Sequence, residues 1–371
     1  MKLVFLIDSL QQGGMEKQLI YLVNFLNDTK KFDIEIVFFN KYKKNNFYID
    51  ILDKGIKVND FSVNKSIRIP FFGFQTEAFK IARKLKKINS KIFISYGTNS
   101  SFILAIAKLF FLNKNVKTIV SERNTDLEPI SFKRKFYLYF LRFSNIIVPN
   151  SFTQKAIIMK LFPKYSEKIK VINNYIDLDF YTHKSYNFNT EQLNVLVLGR
   201  LTYQKNPMCL LKALKLIKDK TNHKISVSWY GRKQDQKLFN EASSYIKDHN
   251  LDVKFYKPQS DTLSIYHKYD LLCLPSFYEG YSNVLGESIC CGLPVIVSEQ
   301  AGDVRKMVEH QKNGYLFNCY NEESLYNQLV KFIELPENKK IAMGKEARKK
   351  SEEIFSKEVF LNAYIKLILD E

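Results

Sequence analysis

The amino-acid sequence predicts an α/β protein of two Rossmann-like domains that face each other across a cleft. Short apolar runs alternate with helical patterns from end to end, which is typical of parallel α/β sheets. The alternation lapses once, in a polar stretch near the middle of the chain. The 371 residues are too many for one ordinary α/β domain and sufficient for two of about 180 residues each.

The first domain is predicted to span residues 1–180 and to contain a parallel sheet. Helical patterns separate most of its apolar runs; over Met15–Asn27 the apolar residues recur with a helical period. Because Asp8 follows Met1–Ile7 at once, this run is predicted to be the first strand and not a signal peptide. The predicted strands are Lys2–Asp8, Phe32–Phe39, Lys57–Val63, Lys91–Tyr96, Val116–Ser121, Asn145–Pro149 and Ile169–Asn173.

A polar segment, residues 181–192, is predicted to link the two domains because it contains no apolar run. A second α/β series follows and is predicted to form a domain over residues 193–350. Its predicted strands are Leu193–Leu198, Lys224–Tyr230, Val253–Tyr256, Asp270–Leu274 and Pro294–Val297. The charged tail, from Pro336 to Glu371, is predicted to be helical.

The formal net charge of +19 indicates an anionic partner, which composition leaves open among nucleic acid, anionic lipid and phosphorylated substrates. The basic and aromatic stretch Ile130–Phe143, with Arg68–Phe74 and Lys84–Lys87, could dock on anionic headgroups or bind RNA. It could equally be an amphipathic helix whose aromatic residues lie in the core. The longest apolar run, Phe102–Leu112, is far shorter than the roughly 20 residues of a membrane span.

The cysteines predict buried, reduced thiols and a reducing, cytoplasmic compartment, because their number is odd and no C-x-x-C pair occurs. Metal binding through cysteine is therefore not expected. The five are Cys209, Cys273, Cys290, Cys291 and Cys319.

Two motifs that follow predicted strands could contact phosphate groups. In the first, the strand that ends near Asp8 leads to Gly13 and Gly14 at a helix start, where backbone N–H groups favour anions. A tight strand-to-helix turn explains these glycines equally well. In the second, Arg200 and Lys205 follow the first strand of the second domain, where open α/β sheets bind ligands. Both cations suit phosphate, although a solvated surface pair is the alternative.

The most specific motif covers residues 275–294, where a predicted strand leads through a glycine-containing loop into a helix. Glu287 is predicted in the first helical turn, where a carboxylate can accept both hydroxyls of a ribose. Glu279, eight residues earlier, could reach a sugar beyond the phosphates. Backbone N–H groups of the loop and helix start would point at an anion. These groups belong to Gly280, Tyr281, Ser282, Asn283 and Val284.

These motifs resemble those of the family-four glycosyltransferases, which have the GT-B fold. The resemblance spans almost the whole chain, and the E-x7-E string is its most specific part. It implies that residues 351–371 form a helix that packs back on the first domain. The matching stretches are GGME (13–16), VPNS (148–151), VINNYID (171–177), GRLTYQKNP (199–207), YDLLCLPS (269–276), EGYSNVLGE (279–287) and CGLPVIVS (291–298), with a looser match over 302–317.

The resemblance also implies roles for individual residues. Arg200 and Lys205 match the cations that bind the donor diphosphate, and Glu279 matches the carboxylate that holds the donor sugar. These three are the expected catalytic residues. Glu287 matches the ribose-binding carboxylate, and the loop of Gly13 and Gly14 matches one that lies against the phosphates.

One departure from the family pattern concerns a histidine that many members carry in the first domain near the donor sugar. All five histidines of this chain follow residue 180, so a histidine base from the first domain is excluded. Polar candidates for acceptor or sugar contact are Asn99, Glu122, Arg123 and Asn124, for which loop capping is an equal alternative.

The expected function is retaining transfer of a sugar from a nucleotide diphosphate donor, with UDP as the family's commonest carrier. The expected acceptor is lipid-linked or polysaccharide, in bacterial envelope polysaccharide synthesis such as that of O-antigen or capsule. A cytoplasmic protein, peripheral on the inner face of an anionic membrane and without a nucleic-acid partner, is expected. No metal or other cofactor is expected, because cations can stabilise the leaving diphosphate; the D-x-D of Asp177 and Asp179 is interpreted as a turn.

Two alternatives from other classes remain. A sugar-nucleotide epimerase can share this fold and needs no acceptor, but it would be expected to place acid and base groups around the sugar. An RNA-binding protein would account for the charge but would not need the E-x7-E string.

Overall fold

The computed structural model describes residues 1–11, 13–40, 49–62, 73–123, 130–186, 188 and 191–371. Within these residues the chain divides into two compact units. The first unit comprises Met1–Tyr175 and Glu358–Glu371, and the second comprises Ile176–Lys357. Each unit contains a six-stranded sheet flanked by helices, so the predicted α/β class with two Rossmann-like domains is confirmed.

The first unit orders its strands β3-β2-β1-β4-β5-β6, and all neighbours are parallel. The strands are β1 (Lys2–Ile7), β2 (Asp33–Phe38), β3 (Lys57–Asp60), β4 (Ile92–Tyr96), β5 (Lys117–Glu122) and β6 (Ile146–Pro149). The helices are α1 (Gly14–Asp28), α2 (Gly73–Leu85), α3 (Thr98–Phe110), α4 (Phe132–Phe140) and α5 (Phe152–Leu161). The strand order reverses between β1 and β4, which makes their carboxyl ends the topological switch point.

The second unit orders its strands β12-β11-β10-β7-β8-β9, again all parallel. The strands are β7 (Gln192–Leu198), β8 (Lys224–Tyr230), β9 (Val253–Tyr256), β10 (Leu271–Leu274), β11 (Val295–Ser298) and β12 (Tyr315–Phe317). The helices are α6 (Pro207–Lys220), α7 (Gln236–Asp248), α8 (Thr262–Lys268), α9 (Asn283–Cys290), α10 (Val304–Met307), α11 (Glu322–Glu334) and α12 (Glu337–Ile354). Here the order reverses between β7 and β10.

The last helix, α13 (Lys357–Leu369), belongs to the first unit. Its apolar residues Phe360, Tyr364 and Ile368 are buried in the core that also contains β1 and α1. The hydroxyl of Tyr96, at the end of β4, donates a hydrogen bond to the Tyr364 hydroxyl over 2.7 Å. The chain therefore returns to the first unit at residue 358, whereas residues 351–357 remain with the second.

In the segment expected to be a linker, residues 181–192, several of the described residues pack within the second unit. Tyr181 and Phe188 are buried in its core, and the Lys184 side chain is buried with its ammonium group donating to the Tyr269 carbonyl. Tyr186 donates to the Gly292 carbonyl over 2.8 Å. Single aromatic residues among polar ones produce no periodic pattern, so this packing could not be predicted from the sequence.

Two sheet predictions differ from the structure. Ile169–Asn173 was predicted as a strand, but it contributes one isolated bridge to β6 and two backbone hydrogen bonds, from Lys170 and Ile172. Beyond Ile172 the backbone turns to another partner: the Tyr175 N–H donates to Gln18 Oε1 over 2.8 Å, and the Tyr175 carbonyl accepts from Gln18 Nε2 over 2.7 Å. In the second unit, β12 was not predicted, since three buried residues are too few for a periodic signal.

The predicted state of the cysteines is confirmed: all five are free and buried. Burial raises the pKa of the Cys209 and Cys290 thiols to about 12. None of the helices in the described residues is long and apolar enough to span a bilayer.

Candidate functional site

The switch point of the second unit is formed by the loops that follow β7 and β10. Gly199, directly after β7, has φ of +150° and accepts a hydrogen bond from Trp229 Nε1 over 2.8 Å. A Cβ atom on Gly231, after β8, would lie 1.8 Å from the Gly199 carbonyl oxygen. The loops after β7 and β8 can approach each other this closely only because residue 231 is a glycine.

Lys205 and Glu279 form an ion pair at this switch point. Lys205 Nζ lies 2.5 Å from Glu279 Oε1, and each side chain is 12 % exposed. Ser276 Oγ donates to the same oxygen over 2.8 Å, and Gln204 Nε2 lies 3.4 Å from Oε2. Gln204 also donates to the Tyr278 carbonyl over 3.0 Å. Glu279 is therefore oriented by three side chains, one of which is the predicted phosphate-binding cation Lys205.

Arg200 lies one residue beyond Gly199 and is exposed. Its guanidinium donates to Gln234 Oε1 over 3.0 Å. Burial and the nearby Glu279 carboxylate raise the pKa of Tyr278, while Arg200 lowers it, so Arg200 acts electrostatically on the loop that carries Glu279.

Glu287 lies in the second turn of α9, as its fifth residue, and not in the first turn as predicted. The helix begins at Asn283, as predicted, with Ser282 Oγ accepting from the Leu285 N–H over 3.3 Å. Tyr266 Oη, from α8, donates to Glu287 Oε2 over 2.8 Å. Burial and the adjacent Glu287 carboxylate raise the pKa of Tyr266 well above its ordinary value, so this phenol remains a neutral donor that orients Glu287.

The loop between β10 and α9 packs closely against the loop that follows β11. A Cβ atom on Gly302, whose φ is +72°, would lie 2.3 Å from the Glu279 carbonyl oxygen and 2.5 Å from that of Gly280. Tyr281 is buried against Phe355, with ring centroids 6.4 Å apart, and burial raises the pKa of its phenol. Tyr281 therefore anchors the loop, to which Gly280 and Ser282 also belong, while Asn283 and Val284 begin α9.

In the first unit, Gly13 precedes α1 and Gly14 begins it. The φ of Gly13 is −168°, which any residue can adopt, so its glycine is not required by backbone conformation. A Cβ atom there would lie 2.3 Å from Glu16 Oε2, and the flexible Glu16 side chain could move. Gly97, after β4, has φ of +91° and its N–H donates to the Ser121 carbonyl over 2.9 Å.

The polar candidates of the first unit separate into two groups. Asn99 Nδ2, in α3, donates to Asp8 Oδ2 over 2.8 Å, so Asn99 lies at the first-unit switch point. Glu122 is fully buried and forms an ion pair with Arg134 over 2.7 Å. Asn124 lies outside the described residues.

The side chain of Arg123 connects residues of the sheet with α13. Its Nε donates to Ser121 Oγ over 2.7 Å, and its Nη1 donates to Asn174 Oδ1 over 2.8 Å. Its guanidinium lies over the Tyr96 ring, 4.7 Å from the centroid, and also donates to the Tyr364 hydroxyl. Arg123 therefore fastens α13 to the sheet, which favours the structural alternative for this candidate.

Asp177 stabilises a turn: its Oδ1 accepts from the N–H groups of Asp179 and Phe180, each over 3.1 Å. This is the arrangement expected from the sequence for the D-x-D pair. Across the described ranges, no group of three His, Cys, Asp or Glu side chains is arranged to hold a metal ion.

Comparison with known proteins identifies the second unit. Residues 181–350 match the family described as Glycosyl transferases group 1. The chain is a glycosyltransferase, and its second unit matches this group. The matched region covers almost the whole second unit, including the Lys205–Glu279 pair and Glu287.

This glycosyltransferase has similar relatives along most of its length. It is 26% identical over 345 residues, 89% of this chain and 88% of the other, to a Campylobacter jejuni α-1,4-N-acetyl-D-galactosaminyltransferase named for a diphospho-undecaprenol-linked substrate. A second Campylobacter jejuni enzyme, a 4-α-N-acetylgalactosaminyltransferase named for another such substrate, is 24% identical over 347 residues, 90% of each chain. Anabaena HepE in complex with UDP-glucose superposes with a TM-score of 0.80 at 19% identity, over 100% of both chains, which shows the GT-B fold.

Several residues of this glycosyltransferase's candidate site were not predicted from the sequence. Ser276 and Gln204 lie inside the matching motifs YDLLCLPS and GRLTYQKNP. The sequence therefore contained a signal for both residues beside Glu279. Gly302 lies in the loosely matching stretch. Tyr266 stands 21 residues before its partner Glu287, outside any motif, and only the packing of α8 on α9 brings it there.

Proposed function

We propose that this glycosyltransferase moves a sugar from a UDP-sugar to a lipid-linked or polysaccharide acceptor, with retention at the anomeric carbon, in bacterial envelope polysaccharide synthesis. The observation that carries the proposal is the Lys205–Glu279 ion pair at the switch point of the second sheet. UDP is supported by the UDP-glucose complex of the Anabaena structure. A lipid-linked acceptor is supported by the names of the two Campylobacter relatives.

The cations have an electrostatic role in this proposal. Arg200 and Lys205 bind the diphosphate and stabilise the negative charge that builds on it as the glycosidic bond breaks. Glu279 shares Lys205 with the diphosphate and orients the donor sugar through its hydroxyls. Since a first-domain histidine is excluded, the leaving phosphate accepts the proton of the acceptor hydroxyl.

Glu287 binds the ribose, the part of the donor that does not react. Tyr266 fixes the direction of its carboxylate through the 2.8 Å hydrogen bond. A carboxylate that is oriented before the donor binds loses less conformational entropy on binding.

No metal ion is part of the proposed mechanism. The argument is chemical: two cationic side chains and the N-terminus of α9 supply the positive potential that a leaving diphosphate needs. Asp177 of the D-x-D pair has its Oδ1 committed to two backbone N–H groups, which fits its interpretation as a turn residue.

Peripheral attachment to the inner face of the cytoplasmic membrane belongs to the same proposal. It is supported by the net charge of +19 and by α4, which exposes Phe132 (87 %), Phe136 and Tyr139. Lys133 and Lys135 are also exposed, whereas Arg134 is turned inward onto Glu122. Tyr137 and Leu138 of α4 lie in the core, as the amphipathic alternative requires, and the proposed docking uses only the exposed residues of the helix. Most of Arg68–Phe74 lies outside the described residues.

The experiment that tests this function is a thermal-shift screen of nucleotide sugars, followed by incubation of the stabilising ones with an undecaprenyl-diphosphate-linked saccharide. We expect UDP-sugars to raise the melting temperature and one of them to be consumed only when the acceptor is present. Stabilisation by no nucleotide sugar would contradict the proposal. Conversion of the sugar without acceptor would instead support the epimerase alternative.

A further inference from the structure

A pocket of about 370 Å³ opens on the second unit, among residues of α6, α7 and α11 and of the turn that precedes α6. Its volume exceeds the lower limit of small-molecule sites, which is roughly 300 Å³. Lys205, Glu279 and Glu287 are not among the residues that line it. The function proposed above therefore gives this pocket no ligand.

Three aromatic side chains form a row along the pocket. Phe277 stacks on Tyr203 with ring centroids 4.9 Å apart and on Tyr320 with centroids 5.4 Å apart, at interplanar angles of 30° and 29°. Tyr203 is 67 % exposed and Tyr320 is 70 % exposed. Each tyrosine contacts Phe277 through one face, and this exposure leaves its other face open to solvent. Exposed aromatic residues that stand together, and not singly, are typical of binding surfaces.

The backbone that carries this aromatic row is held in place by Asn206, which is buried. Its Nδ2 donates to the Cys319 carbonyl over 2.9 Å, and its Oδ1 accepts from the Cys209 N–H over 3.4 Å. The Asn206 N–H donates to the Tyr203 carbonyl over 3.0 Å. Asn206 therefore joins the turn of Tyr203 to the residue that precedes Tyr320. A surface that is ordered before a ligand arrives loses less entropy on binding.

Charged side chains at the rim restrict the class of ligand. Glu241 of α7 is exposed, and Lys212 of α6 lies 3.9 Å from Glu322 of α11, with both side chains partly exposed. Because two carboxylates face one ammonium group, a phosphorylated ligand would meet net repulsion. The stacked rings do not surround a space, as an aromatic cage for a quaternary ammonium does. A neutral sugar suits both features, since its C–H face packs on an aromatic ring and its hydroxyls donate to carboxylates.

We propose that this second-unit pocket binds a neutral oligosaccharide, with sugar rings packed on Tyr203 and Tyr320 and hydroxyls donating to Glu241 and Glu322. The ligand class rests on the proposed function, since a glycan is what such an enzyme extends. The pocket is a glycan site separate from the donor residues. Because its aromatic row stands on the loops that carry the donor residues, it holds a growing glycan beside the donor between transfers.

The test uses the full chain and saturation-transfer difference NMR, with titrations of maltotriose, triacetylchitotriose and globotriose. We expect at least one of these neutral trisaccharides to bind. Tyr320→Ala should weaken that binding about 2- to 10-fold, the effect of one aromatic contact, and Tyr320→Phe, which keeps the ring, should restore it. Glu241→Gln should weaken it about 2- to 10-fold through a degraded hydrogen bond. Tyr139→Ala, at an exposed tyrosine of the first unit, is the matched control, and thermal unfolding verifies that each variant is folded.

The outcomes separate this inference from the function on which it rests. Absence of trisaccharide binding, or equal affinity in the wild type and Tyr320→Ala, would overturn the pocket assignment. Equal weakening by Tyr139→Ala and Tyr320→Ala would overturn it as well. Each of these results leaves the proposed function standing if the wild-type chain binds UDP in a parallel titration. Failure of UDP and every UDP-sugar to bind would instead remove the proposed function.

Discussion

At the scale of single residues, the two glutamates of the E-x7-E string have different surroundings. Glu279 is paired with a cation and two neutral donors, whereas Glu287 accepts from a buried phenol. The sequence predicted both carboxylates as candidates for donor contact, because their spacing around a glycine loop is specific. It did not predict their partners, since Tyr266 reaches Glu287 only through the packing of two helices.

The two glutamates are expected to respond differently to substitution by glutamine. Glu287→Gln should weaken binding of UDP and of the complete donor alike, by about 1.5–3 kcal/mol for degraded charge-assisted hydrogen bonds. Glu279→Gln should leave UDP affinity nearly unchanged and lower kcat, because the lost contact orients the reacting sugar. Calorimetry with UDP and steady-state kinetics with the donor measure both effects. Equal loss of UDP affinity in the two variants would mean that the roles are wrongly assigned.

Arg134 is expected to contribute strongly to stability. Its partner Glu122 is fully buried, so Arg134→Met would leave a carboxylate without its counter-charge. The expected loss in the free energy of unfolding is about 3–5 kcal/mol, measured by urea denaturation. Lys133→Met, its exposed neighbour on α4, is the control and should change stability by less than about 0.5 kcal/mol. Similar losses in both variants would show that the ion pair is not stabilising.

At the scale of elements, two strands have the bounds that the sequence predicted, Lys224–Tyr230 and Val253–Tyr256. Neither is buried along its whole length, so the prediction rested on their aromatic and β-branched residues and not on a continuous apolar run. The packing of Tyr181, Tyr186 and Phe188 could not be predicted, because these aromatic residues stand among polar ones and form no periodic pattern. The extent of α13 was implied by resemblance alone, and its attachment through Arg123 and Tyr364 depends on contacts between distant parts of the sequence.

Helix α4 is expected to contact anionic lipid through its exposed face. Lys133→Glu combined with Lys135→Glu should weaken binding to phosphatidylglycerol vesicles, since each lysine near such a surface contributes about 1 kcal/mol. Co-sedimentation measures the effect, and added salt should reduce wild-type binding. The control, Lys345→Glu with Lys349→Glu on α12, makes the same change in net charge on the second unit. Equal weakening in both double variants would indicate a general charge effect and not docking through α4.

At the scale of the whole molecule, composition restricted the function less than the motifs did. A net charge of +19 suits RNA, lipid or phosphorylated substrates, and only the conjunction of Lys205, Glu279 and Glu287 with two parallel sheets distinguishes a glycosyltransferase. The division into two units follows from chain length and the alternation of elements. The boundary at residue 175 could not be predicted, because the residues that follow it pack by scattered side chains.

Turnover is expected to persist without divalent metal. Arg200 and Lys205 stabilise the leaving diphosphate in the proposed mechanism, so dialysis against EDTA should leave kcat within about twofold of its value in Mg²⁺, with the margin set by nonspecific ionic effects. Release of UDP in a coupled assay measures this. Complete loss of activity that Mg²⁺ or Mn²⁺ restores would contradict the proposed mechanism.

The most direct test of the central claim is the stereochemistry of the transferred sugar. The purified chain is incubated with the UDP-sugar that stabilises it and with an undecaprenyl-diphosphate-linked saccharide, and NMR gives the anomeric configuration of the product. We expect UDP release only when acceptor is present, together with a product that has the configuration of the donor. An inverted linkage would contradict retention, and an isomerised nucleotide sugar formed without acceptor would contradict transfer itself.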